Sequence, residues 1–96
     1  MVIAVGVDKP SEAKVLEIEN ICAAAAATQN LLLAAHAMGL GAKWRTSEWA
    51  RDPLVKEVLG FEPDQHMIGF IYVGYPEFES EPAPRPPFED RTRWID

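Results

Sequence analysis

Apolar residues are spread unevenly along the chain, and their spacing outlines its elements. Val2–Val7 (VIAVGV) is rich in β-branched residues and predicts a buried strand almost at the first residue. Asp8-Lys9-Pro10-Ser11 breaks this run, and Ser11 followed by Glu12 predicts a helix start. Between Glu12 and Met38, apolar residues fall at Val15, Ile18, Ile21, Cys22, Ala25, Leu32 and Ala35, mostly at helical spacing. An unbroken helix over that span would be about 40 Å long. Gly39 supplies the left-handed position that commonly ends a helix, and Ala42–Thr46 follows as an extended segment. Ser47 is the expected N-cap of a second helical stretch, from Glu48 to Leu59, with Gly60 as its stop. Asp52-Pro53 lies inside that stretch and favours a turn followed by a helix beginning at Pro53. After a loop at Phe61–Gln65, the apolar run Met67–Tyr75 (MIGFIYVGY) predicts a strand buried on both faces. The order β-α-β-α-β indicates an α/β or α+β domain and leaves the strand order open.

Two stretches do not suit a chain that stands alone. From Ile21 to Ala42 there is no Asp, Glu, Lys or Arg, although 25% of the chain is charged. A helix so cleared of charge is expected to be buried around most of its circumference, and 96 residues offer little else to bury it in. The Ala23–Ala27 run reads either as small residues that let another backbone approach or as plain helix propensity. Pro76–Asp96 holds five of the eight prolines and clustered Glu, a composition that forms no core of its own. Yet it carries Phe88, Trp94 and Ile95, so it is expected to wrap another surface.

Charge and composition narrow the function. The net charge of −6 and pI near 4.8, with no basic run, argue against nucleic acid as a partner. The lone Cys22 excludes an internal disulfide and reads as a small buried hydrophobe in a reducing compartment. His36 and His66 stand far apart with no further ligand at a recognised spacing, so no metal site is expected. The N-terminus lacks a basic region before its apolar run. Thr28, Gln29, Asn30 and His36 sit toward the middle of the charge-free helix, where hydrocarbon would penalise them. Neither a signal peptide nor a membrane span is expected, and the location is expected to be cytoplasmic.

Three segments carry a more specific message: Gln29-Asn30, then LLLAAHAMGLGAKWRTS, then DPLVKEVLGFEPDQHMIGFIYVGYP. Their order and spacing resemble the C-terminal half of the FMN-dependent NAD(P)H nitroreductase family, in particular small bacterial members with a Trp-Arg-Ser/Thr segment after a Gly-x-Gly turn. The resemblance implies an α+β, nitroreductase-like fold in which a long central helix packs on a β-sheet at a homodimer interface holding FMN. It divides the chain into residues 1–75, the C-terminal half of the domain, and residues 76–96, an extended tail crossing to the partner. The implied reaction is ping-pong hydride transfer from NADH or NADPH through the flavin to a nitro compound, quinone or similar acceptor.

By the same resemblance, Trp44, Arg45 and Thr46 match the flavin-contacting segment. Arg45 would offset negative charge on the ring or bind a phosphate. Taken without the resemblance, Arg45 reads as a surface ion-pair partner of Glu48 or Asp52, and Trp44 as a core aromatic. Ala34, Ala35, His36, Ala37, Met38 and Gly39 match a stretch associated with nicotinamide-nucleotide binding. A helix C-terminus is electrically unsuited to phosphate, and His36 reads more simply as a packed or capping residue. The family's opening Arg-x-Ser segment, which binds the FMN phosphate, has no counterpart in these 96 residues. The expectation is a fragment or a truncated reading frame, with a non-catalytic dimerisation or interaction module as the alternative to an oxidoreductase. A ligand-binding α/β domain unrelated to flavin is compatible with the Gly-Leu-Gly turn alone but is not favoured.

Overall fold

The computed structural model describes all residues, Met1–Asp96. Three strands, β1 (Val2–Gly6), β2 (Gly41–Arg45) and β3 (Met67–Gly74), form one antiparallel sheet in the order β1-β3-β2. The last strand therefore lies in the middle, paired through Ile3↔Ile71 on one side and Trp44↔Ile71 on the other. Because side chains alternate across a strand, Ile3, Ile71 and Trp44 share one face of the sheet, while Val2, Tyr72 and Lys43 share the other. Helix α1 (Glu17–Ala37) packs on the first of these faces. Ile71, at the centre of that contact, is completely buried. Helix α2 (Pro53–Val58) follows β2 after a 3-10 turn at Glu48–Ala50.

Helix α1 starts at Glu17, five residues after the expected Glu12. Residues 12–15 instead close a turn, with Val15 N–H donating to the Glu12 carbonyl at 3.0 Å. Leu16 is extended, and the Glu19 carboxylate reaches back to accept its N–H at 3.0 Å. Glu17 and Glu19 thus place negative charge on the positive end of the helix, without a polar cap residue. The helix spans 21 residues, about 32 Å. Its inner face runs through Ile21, Ala25, Thr28, Leu32 and Ala35. Thr28 is fully buried there and is satisfied by donating to the Ala24 carbonyl at 2.8 Å. Cys22 lies on the opposite side and is exposed, contrary to its expected burial, because the sheet covers only one face of the helix.

The helix ends behave as the glycines predict. Gly39 has φ +75° and Leu40 N–H donates to the Ala35 carbonyl at 2.9 Å. Gly60 has φ +80° and Phe61 N–H donates to the Lys56 carbonyl at 2.8 Å. The second helical stretch is split, as Pro53 favours. Its cap is not Ser47, which has φ 40° and makes no capping bond. The Asp52 carboxylate does this work, accepting the Leu54 N–H at 2.8 Å with Pro53 in the first turn.

One expectation about burial changes. Strand β3 is not covered on both faces: Gly69 and Ile71 are buried, but Tyr72 is 50% exposed, since only the 3-10 turn at Glu48–Ala50 and α2 border the second face and leave it partly open. The tail after Gly74 is exposed throughout, with one short 3-10 turn at Phe88–Arg91. The radius of gyration is 16.7 Å, against about 12–13 Å for a compact chain of this length. No helix is long and apolar enough to cross a membrane.

Candidate functional site

The segment expected to meet flavin is the end of β2, an edge strand whose outer side pairs with nothing. Its side chains separate to opposite faces. Trp44 points to the α1 side, half-buried, and its indole N–H donates to the Ile68 carbonyl at 3.1 Å. That bond crosses the sheet at Gly69, whose backbone (φ +148°) lies against both Arg45 O and the Trp44 ring. Any Cβ at Gly69 would collide with Arg45 O and would meet Trp44 Nε1 at 2.8 Å. The glycine therefore lets β2 and its aromatic side chain settle onto β3. Trp44 is a positioned core aromatic, and what it presents outward is its main chain.

Arg45 points to the other face. It is exposed and makes no ion pair, so the pairing with Glu48 or Asp52 that the sequence allowed does not form. Thr46 is exposed beside it, and Ser47 turns the chain sharply away. Arg45 lines a groove of about 910 Å³ with Lys43, Tyr72, Trp49 and Val58 among its walls. The groove was not anticipated, although its signal was present. Val2, Phe70 and Tyr72 are apolar positions on the strand faces opposite those carrying Ile3 and Ile71. The Leu54, Val55, Val58 and Leu59 spacing marks one apolar side of α2.

The stretch Ala34–Gly39 lies at the other end of β2. From Gly41 to Arg45 the strand advances about 13 Å, so this stretch and Trp44–Thr46 are not brought together. Ala35 is buried on the sheet; Ala34, His36, Ala37, Met38 and Gly39 are exposed. The carbonyls of Ala34, Ala35 and His36 accept the N–H groups of Met38, Gly39 and Leu40, which leaves no donor set for a phosphate.

Away from these stretches, two exposed polar links tie the N-terminal loop and the start of α1 to the approach to β3. Lys9 pairs with Asp64 at 2.6 Å, and His66 Nε2 meets Glu17 at 2.8 Å. The hydrogen bond to Asp64 raises the Lys9 pKa, and its counterpart lowers that of Asp64. No group of three His, Cys, Asp or Glu side chains is placed to hold a metal ion.

Comparison with known proteins places this architecture. "Putative NAD(P)H nitroreductase YdjA" of Escherichia coli is 31% identical over 67 residues, which cover 70% of this chain and 37% of that protein. "Putative NAD(P)H nitroreductase YfhC" of Bacillus subtilis is 29% identical over 73 residues, covering 76% and 38%. Among solved structures, a nitroreductase-like family protein from Bacillus cereus superposes with a TM-score of 0.85 at 26% identity, over 98% of this chain and 50% of that one. A "putative nitroreductase in complex with FMN" from Desulfovibrio desulfuricans gives 0.73 at 34% identity, over 92% and 51%. The chain thus spans under two-fifths of these curated relatives and about half of the solved ones. The Nitroreductase family model matches residues 1–75, the sheet with both its helices and nothing of the tail. In fold and in sequence, this chain belongs to the nitroreductase family and carries about half of its α+β architecture.

Proposed function

We propose that the chain contributes the β2 side of an FMN site in an NAD(P)H-dependent oxidoreductase. The observation that carries this reading is the end of β2: an open strand edge beside an unpaired, exposed guanidinium, in a chain similar to an FMN-bound nitroreductase. The residues present fit the ring of FMN. Main-chain N–H and C=O groups along Trp44–Thr46 suit its alternating donors and acceptors, and the planar fork of Arg45 suits a carbonyl edge or an anion. The phosphate is a different matter, since Arg45 and Lys43 are the only cations on this strand. A dianion calls for additional donors from the rest of the fold.

When bound, FMN would supply the redox chemistry, passing the two electrons of a hydride from NADH or NADPH to a nitro compound, quinone or similar acceptor. The chain's own part is orientation and charge. Gly69 and the Trp44–Ile68 bond fix β2, so its edge is held rigid for the ring. Arg45 balances negative charge that accompanies reduction. At the far end of β2, the stretch Ala34, Ala35, His36, Ala37, Met38 and Gly39 is separated from Trp44–Thr46 and has no free main-chain donors, so it would meet at most a part of a nicotinamide nucleotide remote from the transferred hydride.

The same reading includes a homodimer. Ile18, Cys22, Ala26 and Leu33 are exposed on the side of α1 away from the sheet, and Leu33 is 57% exposed. A second copy would cover this charge-poor face, with residues 76–96 reaching over the partner as an arm distinct from residues 1–75. The alternative is a dimerisation or interaction module without flavin, a role that the exposed apolar side of α1 would serve by itself.

Absorbance of the purified chain after addition of FMN and desalting, with its mass in solution, separates these readings. A dimer that retains flavin, and loses most of it on Arg45→Ala, is the expected result. A colourless dimer would establish the interaction module for the chain on its own, and a colourless monomer would overturn both.

A further inference from the structure

Between β1 and α1 the chain runs from Val7 to Leu16 without a helix or strand. Its root is fixed. Val7 is buried and its N–H donates to the His66 carbonyl at 2.9 Å, while Asn20 Nδ2 donates to the Asp8 carbonyl at 3.0 Å. Beyond that point Lys9 to Lys14 are exposed, and the one main-chain hydrogen bond between Asp8 and Val15 is the turn from Val15 N–H to the Glu12 carbonyl. A segment with so few bonds of its own is held by what it touches. Both of its ends touch the same short stretch. Lys9 meets Asp64 at 2.6 Å, and Glu17, the residue after Leu16, meets His66 Nε2 at 2.8 Å. The third link, Lys14 to Glu12, stays inside the loop.

We propose that residues 9–16 form a strap closed by a two-point polar clasp, which opens as one unit and widens the cleft it borders. Three observations carry this. The clasp residues Lys9 and Glu17 are eight positions apart, but their partners Asp64 and His66 are only two apart, so the strap leaves and returns to one place. The receiving stretch is braced independently of the strap. Glu62 N–H donates to Gln65 Oε1 at 2.7 Å, Gln65 N–H donates to the Glu62 carbonyl at 3.1 Å, and Lys56 Nζ donates to the Pro63 carbonyl at 3.1 Å. Lastly, the strap is a wall. Its residues Lys9 and Ser11 line a cleft of about 730 Å³, facing Asn20 and Ala24 of α1 and the turn residues Glu62 and Gln65. Movement of the strap therefore changes access to this cleft while α1 and the turn stay in place. Exposed links are individually weak, and salt screens the ion pair. That weakness suits a clasp, because it releases without disturbing the sheet. The inference rests on the clasp geometry and is independent of flavin binding.

Trypsin reads the opening, because the Lys14–Val15 bond lies within the strap and the Lys9–Pro10 bond resists the protease. Cleavage after Lys14, measured by mass spectrometry relative to cleavage after Arg93 in the exposed tail, tracks the open population when opening is faster than cutting. Asp64→Asn releases the first clasp point and His66→Ala the second, both at exposed positions. Each should raise the relative rate about twofold to fivefold, and the double variant by about the product of the two. Asp64→Asn is the decisive arm: its partner Lys9 lies five residues before the cut, so it acts there only if the strap opens as a unit. Lys9→Met removes the same link from the other side and should match it. Added sodium chloride should speed the cut in the parent more than in Asp64→Asn. In a Cys22→Ser background, maleimide labelling of Ala24→Cys should accelerate together with cleavage, with circular dichroism unchanged throughout. The proposal is overturned if neither Asp64→Asn nor Lys9→Met speeds the cut, if the double variant is no faster than the single ones, or if labelling in the cleft does not follow cleavage.

Discussion

Gly69→Ala is the most informative single substitution in the sheet. Gly69 lies in the central strand at φ +148°, a region that L-residues rarely adopt. Holding an alanine there costs about 1–3 kcal/mol. The new methyl would also collide with Arg45 O and lie 2.8 Å from Trp44 Nε1, so β2 must move outward. Overpacking of that kind costs about 1–3 kcal/mol. The shift stretches the 3.1 Å bond from Trp44 to the Ile68 carbonyl, a further loss of about 0.5–1.5 kcal/mol. These contributions share one displacement and do not add fully, so the expected loss is about 3–5 kcal/mol. Against a stability of about 5–15 kcal/mol for a typical domain, that is a large share. The melting point should fall by roughly 12 °C or more.

Urea unfolding followed by tryptophan fluorescence, at fixed protein concentration, measures this directly. Gly74→Ala is the matched control: it is the last residue of the same strand, and a Cβ there meets nothing within 4 Å. Its effect should stay within about 1 kcal/mol of zero. If Gly69→Ala loses less than about 1 kcal/mol, or Gly74→Ala loses as much as Gly69→Ala, the close approach of β2 is not what the glycine provides.

Two further substitutions probe the local links. Asp52→Ala removes the carboxylate that accepts the Leu54 N–H and should cost about 1 kcal/mol in urea unfolding, with Asp52→Ser restoring most of it. Asp64→Asn removes the partner of Lys9. The folded pKa of Asp64 lies below 3.8, so its contribution is present above that value and fades as pH falls through the folded pKa. The folded pKa of Lys9 lies above 10.5, so the contribution is also lost as pH rises through that higher value. The difference in melting point between parent and Asp64→Asn should therefore be confined to the interval between these limits. A difference that persists at the acid end would assign the effect to something other than the ion pair.

The elements were legible where their signals are local. β-branched runs mark β1 and β3, glycines mark the ends of both helices, and Pro53 splits the second helical stretch. The start of α1 was misread because Ser11-Glu12 has the composition of a cap, whereas the real boundary is at Leu16, which has no polar side chain. Glu19 caps from inside the helix, a signal visible only once the boundary is known. Cys22 shows a different limit. Absence of charge reads as burial, but it cannot say whether the covering surface belongs to the same polypeptide. For Trp44 and Arg45, the period of two requires opposite faces without saying which is inner. The helix contact decides that, and makes Trp44 the anchor and Arg45 the group available to a ligand.

The two open faces lie on opposite sides of one thin layer. Only six of 96 residues are buried, and the apolar ones are Val7, Ala35, Ala50 and Ile71. Two of these are alanines, whose burial removes little apolar surface from water. Meanwhile Leu33 on the outside of α1 and Val58 and Tyr72 along the groove remain wet. Each would contribute more on being covered than those alanines do. A sheet with one helix on it can hold its hydrogen bonds and caps while leaving most of its apolar free energy to be gained on association. Occupants of the α1 face and of the groove would therefore stabilise the fold by binding it, and their affinities would appear directly in its measured stability. That linkage also bears on β2. Its inner residues are fixed within the chain by Gly69 and Trp44, whereas the Arg45 side borders the groove, so filling the groove would also order the Arg45 side of β2.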